Sequence, residues 1–396
     1  MLNRHLLILI FGCGNLLSKP GDVLPDEFPL LTSPASKSRI EVTANGTVIV
    51  IGNFHQVDGV FRPGIVKLGN DGQVDPNFAP TTGTKANDSG FMGYGRMGTY
   101  PPEENHLFVT ESGRVFVTGM NGWELWNPDG SVDETSMAEF PRKNAERPIP
   151  QFERDGVIYF VAQQDWLVSS RLLAYDAGTL EPAPFATNSL DFPHPAFQAA
   201  DAGDDKIWVL GREPIYADSS VYHYFQVPGY SLSRILSDGS LDPTFTPVVL
   251  QESYAYSIMA SSDEGLFLGK TYPPSSWITN GFGRSTTSSL TVEKWSVDGE
   301  VLETTHIEYP MGTQEMIAVD AGGGVIYSNS DSIGWVRKKG EIIDEDFQLA
   351  AASGWENPIA LLPDGKIQVA DKGRFLSDGS PDPSWTPPAF QRSGGI

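Results

Sequence analysis

Aspartates recur three residues after a glycine in four places along the chain, at Asp75, Asp133, Asp242 and Asp382. Carboxylate oxygens suit a hard cation, so one interpretation is a series of calcium loops. No copy has the dense ladder of Asp and Asn residues that such a loop needs. Three of the four precede a proline, and an aspartate there forms a turn by accepting backbone hydrogen bonds. The pattern favours turns, and we predict no metal site and no cofactor.

Histidines are the other candidates for chemistry, at positions 55, 106, 194, 223 and 306 beyond the N-terminal segment. No two of them have the spacing of metal ligands. The chain also has no G-x-S-x-G motif and no phosphate-binding P-loop. Acid–base catalysis would therefore require the fold to bring distant histidines and carboxylates together.

The chain has one cysteine, Cys13, and it follows the apolar stretch "LLILIF". A basic residue, an apolar run and a small residue before the cysteine form the layout of an export signal. The segment resembles a bacterial lipoprotein signal, in which Ile10, Gly12 and Cys13 match the lipobox and Phe11 departs from it. The resemblance implies lipidation of Cys13. A plain export signal and a buried N-terminal strand are the alternatives.

This interpretation divides the chain into a signal peptide at 1–12, a lipidated cysteine with a flexible tether at 13–36, and a folded domain at 37–396. The tether is rich in Pro, Ser and acidic residues and lacks hydrophobic periodicity. We expect an exported protein of the cell envelope, on the outer membrane or its periplasmic face, and otherwise a secreted one.

The net charge of the chain limits the kinds of partner that it can attract. The sequence has 50 acidic and 27 basic residues, a net charge of −23, which repels phosphate backbones and anionic bilayers. We therefore predict no nucleic-acid partner, and membrane contact only through a lipid at Cys13. No apolar run approaches the roughly 20 residues that span a bilayer. The domain is expected to be a monomer.

A unit built around a turn glycine occurs seven times. The clearest copies are "LGNDGQVDPNF" (68–78), "LSDGSLDPTF" (236–245) and "LSDGSPDPSW" (376–385). Asp-Gly between apolar runs predicts a hairpin, because glycine readily adopts the positive φ of a tight turn. The anchors are Gly72, Gly130, Gly178, Gly239, Gly299, Gly340 and Gly379.

An apolar strand precedes each anchor, as in "GTVIVIG" at 46 and "KIWVLG" at 206. Consecutive apolar residues indicate burial on both faces, as in sheets packed between two other sheets. With a further strand before several of them, each unit has about four antiparallel strands in roughly 51 residues, within the range of propeller blades. We predict an all-β, seven-bladed β-propeller; a solenoid or two small barrels are the alternatives.

The first unit, "NGTVIVIGNFHQVDGVFRPGIVKLGNDGQVDPNF" (45–78), resembles the bacterial delta-60 repeat along its whole length. The fourth and seventh units resemble it in their second halves. The resemblance implies a propeller and an exported location, and it carries no established activity or catalytic motif.

Two long loops supply the candidate ligand-binding residues, at 211–230 and 269–289. In a propeller, the loops between second and third strands gather on the face that usually binds ligand, opposite the Gly turns. Rigid aromatics beside hydrogen-bonding groups suit a sugar or a protein hot spot. The candidates are Tyr216, Tyr222, His223, Tyr224, Trp277, Asn280 and Arg284, with His55 in a loop of the first unit. Mutual packing over the blade tops would explain the same residues.

The sequence therefore predicts a non-catalytic module that binds a protein or a glycan, and it names no catalytic residue. The alternative is a polysaccharide lyase or hydrolase, in which histidine and acidic residues meet at the central channel.

Overall fold

A computed structural model describes residues 36–43, 45–82, 106–119, 122–134, 147–164, 169–185, 196–212, 229–250, 255–262, 265–271, 287–310, 316–319, 325–328, 336–339, 342–343, 359–362, 364–369 and 373–391. Nearly all regular structure in these residues is β-strand. Within them, no helix has the length and apolar character to cross a membrane.

The strands are short. In chain order the first eleven are β1 (Ser36–Val42), β2 (Val48–Asn53), β3 (Gln56–Val57), β4 (Val60–Phe61), β5 (Ile65–Leu68), β6 (His106–Val109), β7 (Val115–Gly119), β8 (Gly122–Trp126), β9 (Arg147–Arg154), β10 (Val157–Gln164) and β11 (Ser169–Asp176). The next eight are β12 (Ala196–Asp201), β13 (Lys206–Arg212), β14 (Tyr230–Leu236), β15 (Val248–Val249), β16 (Ala255–Ser262), β17 (Gly265–Thr271), β18 (Thr287–Ser296) and β19 (Val301–Pro310). The last eight are β20 (Met316–Val319), β21 (Val325–Ser328), β22 (Val336–Lys339), β23 (Ile342–Ile343), β24 (Ile359–Leu361), β25 (Ile367–Val369), β26 (Gly373–Phe375) and β27 (Phe390–Gln391).

These strands pair antiparallel into small open sheets. Numbered along the chain, the sheets are the first (β1-β2-β5), second (β6-β7-β8), third (β9-β10-β11), fourth (β12 to β15), fifth (β16 to β19), sixth (β20 to β23) and seventh (β24-β25-β26). A small additional sheet, β27-β3-β4, joins the end of the chain to the first unit.

The apolar strands predicted from the sequence are the second strands of these sheets, each with a neighbour on both sides. In β2 the side chains from Val48 to Ile51 are at most 1% exposed. Ile49 and Ile51 pack with Val115, Val117 and Trp126 of the second sheet. On the other face, Val48 and Val50 pack with Trp385, which follows the seventh sheet. Burial on both faces therefore comes from sandwiching between two sheets, as the run of apolar residues predicted.

The fourth strand of most units is shorter than predicted. In four units it is reduced to a single bridge, as in Leu68 with Val74 and Phe375 with Pro381. Prolines lie at or just after the bridge, as at Pro76 and Pro381, and a proline has no N–H to continue the ladder. A fourth strand pairs in the fourth sheet as β15, in the fifth as β19 and in the sixth as β23.

The Gly turns adopt the predicted backbone at the described anchors with one exception. Gly72, Gly130, Gly239, Gly299 and Gly379 have φ between +85° and +88°. In the third unit, Leu180 takes the positive φ of 58° in place of Gly178. There the Asp176 carboxylate accepts hydrogen bonds from the amides of Gly178 and Thr179, which closes a different turn.

The first strands of successive sheets contact one another in order, and β24 of the seventh sheet contacts β1 of the first. The turns of neighbouring sheets also meet, because Ala79 N donates to Asp129 O at 2.8 Å and Thr386 N donates to Asp71 O at 2.9 Å. The Gly turns therefore share one face of the molecule, which we call the turn face. The second-to-third strand connections leave from the opposite side, the loop face.

Candidate functional site

The recurring aspartates form turns, as predicted. One carboxylate oxygen of Asp75, Asp242 and Asp382 accepts the amide two residues later, at 2.8 to 2.9 Å. The other oxygen faces a cation, as in Asp242 with Arg234 at 2.7 Å and Asp133 with Arg114 at 2.6 Å. Burial raises the pKa of Asp242, but hydrogen bonds from Thr244 and Arg234 outweigh it and hold the pKa below its usual value. These carboxylates are structural.

The paired arginines reach into the next sheet. Arg114 donates to the carbonyls of Ala177 and Gly178 in the third unit, at 2.8 and 2.9 Å. Arg234 donates to Val297 O in the fifth unit, and its guanidinium carbon lies 5.4 Å from the ring centre of Trp208 and 5.1 Å from that of Phe245. The turn face is therefore held together by charged side chains that the sequence analysis did not single out.

On the loop face, the structure describes a hairpin formed by β3 and β4, which we call the loop-face hairpin (residues 55–62). Its two-residue turn is Asp58-Gly59, with φ of 51° and 76°. Both residues therefore adopt the left-handed region, as a type I′ hairpin turn requires. His55 at the start of this hairpin is exposed.

The end of the chain clamps the hairpin against the body. His55 N donates to Gln391 O at 2.8 Å, and the Asp58 carboxylate accepts the amide of Ala389 at 2.7 Å. Arg62, only 7% exposed, donates to the carbonyls of Phe61 and Asp75. Burial lowers the pKa of Arg62, and the charge of Asp75 opposes that shift. The hairpin is therefore a positioned element with backbone and side-chain anchors.

Two apolar side chains stand out on this hairpin. Val60 is 40% exposed and Phe61 is 55% exposed, and both belong to β4, the edge strand of the small sheet. An edge strand presents backbone groups that another chain can pair with. Phe61 lies near exposed His55 and is an aromatic side chain of the kind enriched at protein interfaces.

Most of the predicted site residues, Tyr216, Tyr222, His223, Tyr224, Trp277, Asn280 and Arg284, lie outside the described residues. The strands that flank them are described. Arg212 of β13 pairs with Tyr230 of β14, and Thr271 of β17 pairs with Leu290 near the start of β18. Both segments therefore leave and re-enter their sheets at the loop face, on the same side as His55.

The histidines of the described segments lie on different sheets, His55 beside β3, His106 on β6 and His306 on β19. His306 lies on β19, the outermost strand of the fifth sheet, and its Nδ1 is 3.0 Å from the hydroxyl of Thr291. His55 lies at the hairpin, and His194 and His223 are outside the described residues. Within those segments, no group of three or more His, Cys, Asp and Glu residues could hold a metal ion.

The exposure of Val60 and Phe61 was not predicted, because apolar residues after a hairpin turn are expected to face a core. A signal was present in "VDGVF", where Asp-Gly predicts a tight hairpin. A tight hairpin placed between the second and third strands projects from the loop face, so its own second strand has no sheet beyond it to cover Val60 and Phe61.

A known protein family resembles two segments of this chain. The family DUF5122, described as a β-propeller domain of unknown function, matches residues 43–78 and 215–245. Among curated proteins, none matches the chain. The first matched segment contains β2 to β5 and the Gly72 turn.

Several solved structures align with this chain at low sequence identity. A hydrazine synthase structure from Kuenenia stuttgartiensis aligns with a TM-score of 0.52 at 10% identity, over 88% of this chain and 96% of that one. A streptogramin B lyase aligns with a TM-score of 0.47 at 15% identity, over 84% and 90%. An α-L-arabinanase from Penicillium chrysogenum aligns with a TM-score of 0.38 at 11% identity, over 89% and 91%. The family match and the sheet arrangement support a β-propeller fold.

Proposed function

We propose that this protein is an exported, lipid-anchored β-propeller of seven blades that binds a protein or a glycan without chemical turnover. The observation that carries the binding role is the exposed Val60–Phe61 pair on the clamped loop-face hairpin. The blade number is supported by the seven turn units in the sequence and by the order in which first strands contact one another. The delta-60 resemblance of residues 45–78 is supported by the overlapping family match.

The loop face suits recognition for a second reason. The two long insertions of the fourth and fifth sheets leave from the same face as the hairpin, between strands whose pairing is described. A ring of sheets supplies a rigid scaffold, and loops on a rigid scaffold commonly carry binding residues. His55 and the seven candidates in the long insertions form the remainder of the proposed site.

Binding is tested with a glycan array and an affinity pull-down from envelope extract, using the mature full-length chain. Phe61→Ser removes the aromatic anchor and should reduce the bound signal about tenfold, as expected for a hot-spot residue. Leu302→Ser, at a position 58% exposed on β19 of the fifth sheet, is the matched control and should bind like the wild type. A Tyr222→Ala/Trp277→Ala variant tests whether the two long insertions contribute to binding.

Each part of the proposed site can be excluded by a different result of these experiments. Identical binding profiles for Phe61→Ser and Leu302→Ser would remove the hairpin from the site, and an unchanged profile for Tyr222→Ala/Trp277→Ala would remove the insertions. Release of new reducing ends or unsaturated sugars from an array glycan would contradict the non-catalytic role in favour of a hydrolase or lyase.

The membrane anchor is proposed at Cys13. A chain with a net charge of −23 has no electrostatic attraction for anionic lipid headgroups, so attachment depends on a covalent lipid. Growth with an alkyne-tagged fatty acid should label the wild type and leave Cys13→Ser unlabelled. An unlabelled wild type would indicate a plain export signal. Size-exclusion chromatography with light scattering tests the proposed monomer.

A further inference from the structure

The small sheet β27-β3-β4 has one face against the body of the protein and one face toward solvent. Val57 on β3 is buried and packs with Phe54 in the core. Its neighbour across the sheet, Phe390 on β27, meets the ring of Phe54 edge-on, with 5.0 Å between the ring centres. Since successive side chains of a strand point to opposite faces, Gln56 and Gln391 lie on the solvent face. A ligand can therefore reach this face of the sheet.

The solvent face carries a row of three side chains, one from each strand, which we call the outer row: Phe61 of β4, Gln56 of β3 and Gln391 of β27. Gln56 pairs with Phe61 on one side and with Gln391 on the other, and directly opposite residues of antiparallel strands share a face. Because Arg62 N donates to His55 O at the next position, Phe61 and Gln56 form the closer, non-hydrogen-bonded type of pair. Neighbouring strands lie about 4.8 Å apart, so the row is about 10 Å long.

The outer row combines an aromatic ring with two neutral amides. Phe61 is 55% exposed, and Gln56 and Gln391 are partly exposed. Neither side-chain amide has a hydrogen-bond partner among the residues that the structure describes. Each amide offers both a donor and an acceptor, and the row itself carries no charge. Such a surface matches a neutral ligand that has an apolar face and hydroxyl groups.

An extended peptide fits this sheet less well, because the open edge of β4 has few free backbone groups. Phe61 is the residue of β4 whose N–H and C=O point away from β3, and its C=O already accepts Nη1 of Arg62 at 2.8 Å. Pro63 has no N–H with which to continue a ladder. Main-chain hydrogen bonds supply the affinity when a peptide adds to a sheet edge. At this edge they are limited to the N–H of Phe61.

We propose that the outer row binds a neutral glycan. The C–H face of one sugar ring packs on Phe61, which removes apolar surface from water. Hydroxyls of that ring or of its neighbour donate to and accept from the amides of Gln56 and Gln391. The inference rests on the proposed binding role of the loop-face hairpin and names the class of ligand for it.

Two further features favour this ligand. The Asp58 carboxylate accepts the amide of Ala389 at 2.7 Å, which holds β27 beside the hairpin and so fixes the row in advance. A surface that is already ordered loses less conformational freedom on binding. The net charge of −23 opposes an acidic glycan, so the ligand is a neutral one.

The proposal is tested by calorimetric titration of the mature full-length chain with short neutral oligosaccharides of β-glucose, β-xylose, β-mannose and N-acetylglucosamine. Trigalacturonate and tetralysine serve as the anionic and cationic probes. At least one neutral oligosaccharide should bind saturably and more tightly than either charged probe. Phe61→Leu keeps an apolar side chain but removes the ring, so it should weaken that binding about tenfold. Gln56→Ala and Gln391→Ala should each weaken it about fivefold.

Gln73→Ala is the matched control, because Gln73 is an exposed glutamine in the Gly72 turn on the turn face. It should bind the oligosaccharide like the wild type, and thermal unfolding checks the fold of each variant. The proposal would be overturned by the absence of saturable binding for every neutral oligosaccharide or by tighter binding of a charged probe. Equal affinities in the wild type and both glutamine variants would also overturn it.

The glycan and the binding role of the hairpin can fail separately. Suppose that no oligosaccharide binds, but a protein is captured from envelope extract by the wild type and not by Phe61→Ser. That result would overturn the glycan and leave the hairpin as a binding site. If neither an oligosaccharide nor a protein depends on Phe61, both the glycan and the binding role of the hairpin are overturned.

Discussion

Arg374 stacks on Trp385, with the guanidinium carbon 4.1 Å from the ring centre. The same guanidinium donates to Asn70 O at 3.1 Å and to Gly46 O at 2.9 Å, both in turns of the first sheet. Trp385 in turn packs in the core with Val48 and Val50. One cation–π pair near the end of the chain therefore joins the seventh sheet to the first.

Arg374→Ala should lower the free energy of unfolding by about 3 kcal/mol, because it leaves two carbonyls and the Gln368 side chain without a donor in a buried site. Lys294→Ala is the control, because Lys294 also lies over a ring, that of Phe267 at 5.7 Å, but joins no distant sheets. Its cost should be at most about 1 kcal/mol. Urea unfolding measures both, and equal midpoints would show that the Arg374 contacts between the seventh and first sheets add no stability.

Gly130 is needed for close approach as well as for its φ of 85°. A Cβ at this position would lie 2.7 Å from Ala79 N and 2.8 Å from Pro80 N, in the segment that follows the first unit. Gly156 has a similar φ of 73° but open space where its Cβ would be. Gly130→Ala should therefore cost about 3 kcal/mol or more, against about 1 kcal/mol for Gly156→Ala. Thermal unfolding compares them, and similar losses would mean that φ alone explains the glycine.

Gln198 links two neighbouring first strands. Its side-chain oxygen accepts the amide of Ile258 at 2.7 Å, from β12 to β16. Gln198→Ala should cost about 1 to 2 kcal/mol by leaving that amide without an acceptor, whereas Gln198→Glu keeps one and should cost less. Hydrogen exchange at Ile258 gives a local measurement. Unchanged protection in Gln198→Ala would show that the contact is dispensable.

The central strands and the Gly turns could be predicted from the sequence because their signals are local. Four consecutive apolar residues from Val48 to Ile51 indicate a strand buried on both faces, and the Asp-Gly pair before Gln73 indicates a tight turn. Each signal lies within a few residues. The shortened fourth strands could have been inferred from Pro76 and its equivalents. In the third unit the positive φ lies at Leu180 and not at Gly178. This turn depends on the Asp176 side chain, whose carboxylate accepts the amide of Thr179.

The contacts between sheets could not be predicted from the sequence. Arg234 bonds a carbonyl 63 residues away, and Arg374 bonds carbonyls 304 and 328 residues away, so no local pattern indicates their partners. Of the candidate ligand residues, His55 is the one in the described chain, where it is exposed, and its role in binding stays a prediction.

The buried Asp242 makes stability depend on acid pH. Burial raises its pKa, but bonds from Thr244 and Arg234 lower it further, so its folded-state pKa lies below the ordinary 3.8. A carboxyl with a depressed folded-state pKa stabilises the fold above its unfolded pKa, and that stability is lost as pH falls through the folded value. The pKa values of Asp75 and Asp382 are lowered as well, despite their own burial.

We therefore expect the free energy of unfolding to be nearly constant between about pH 7 and pH 5 and to fall steeply below about pH 4. Asp242→Asn should be less stable than wild type at pH 7, because Arg234 then lacks its counter-ion at 2.7 Å. That difference should shrink as the pH falls below 3.8, because protonation removes the same charge from the wild type. Urea unfolding from pH 7 to pH 2.5 measures both curves, and a gap that stays constant to pH 2.5 would contradict the role of the Asp242 charge.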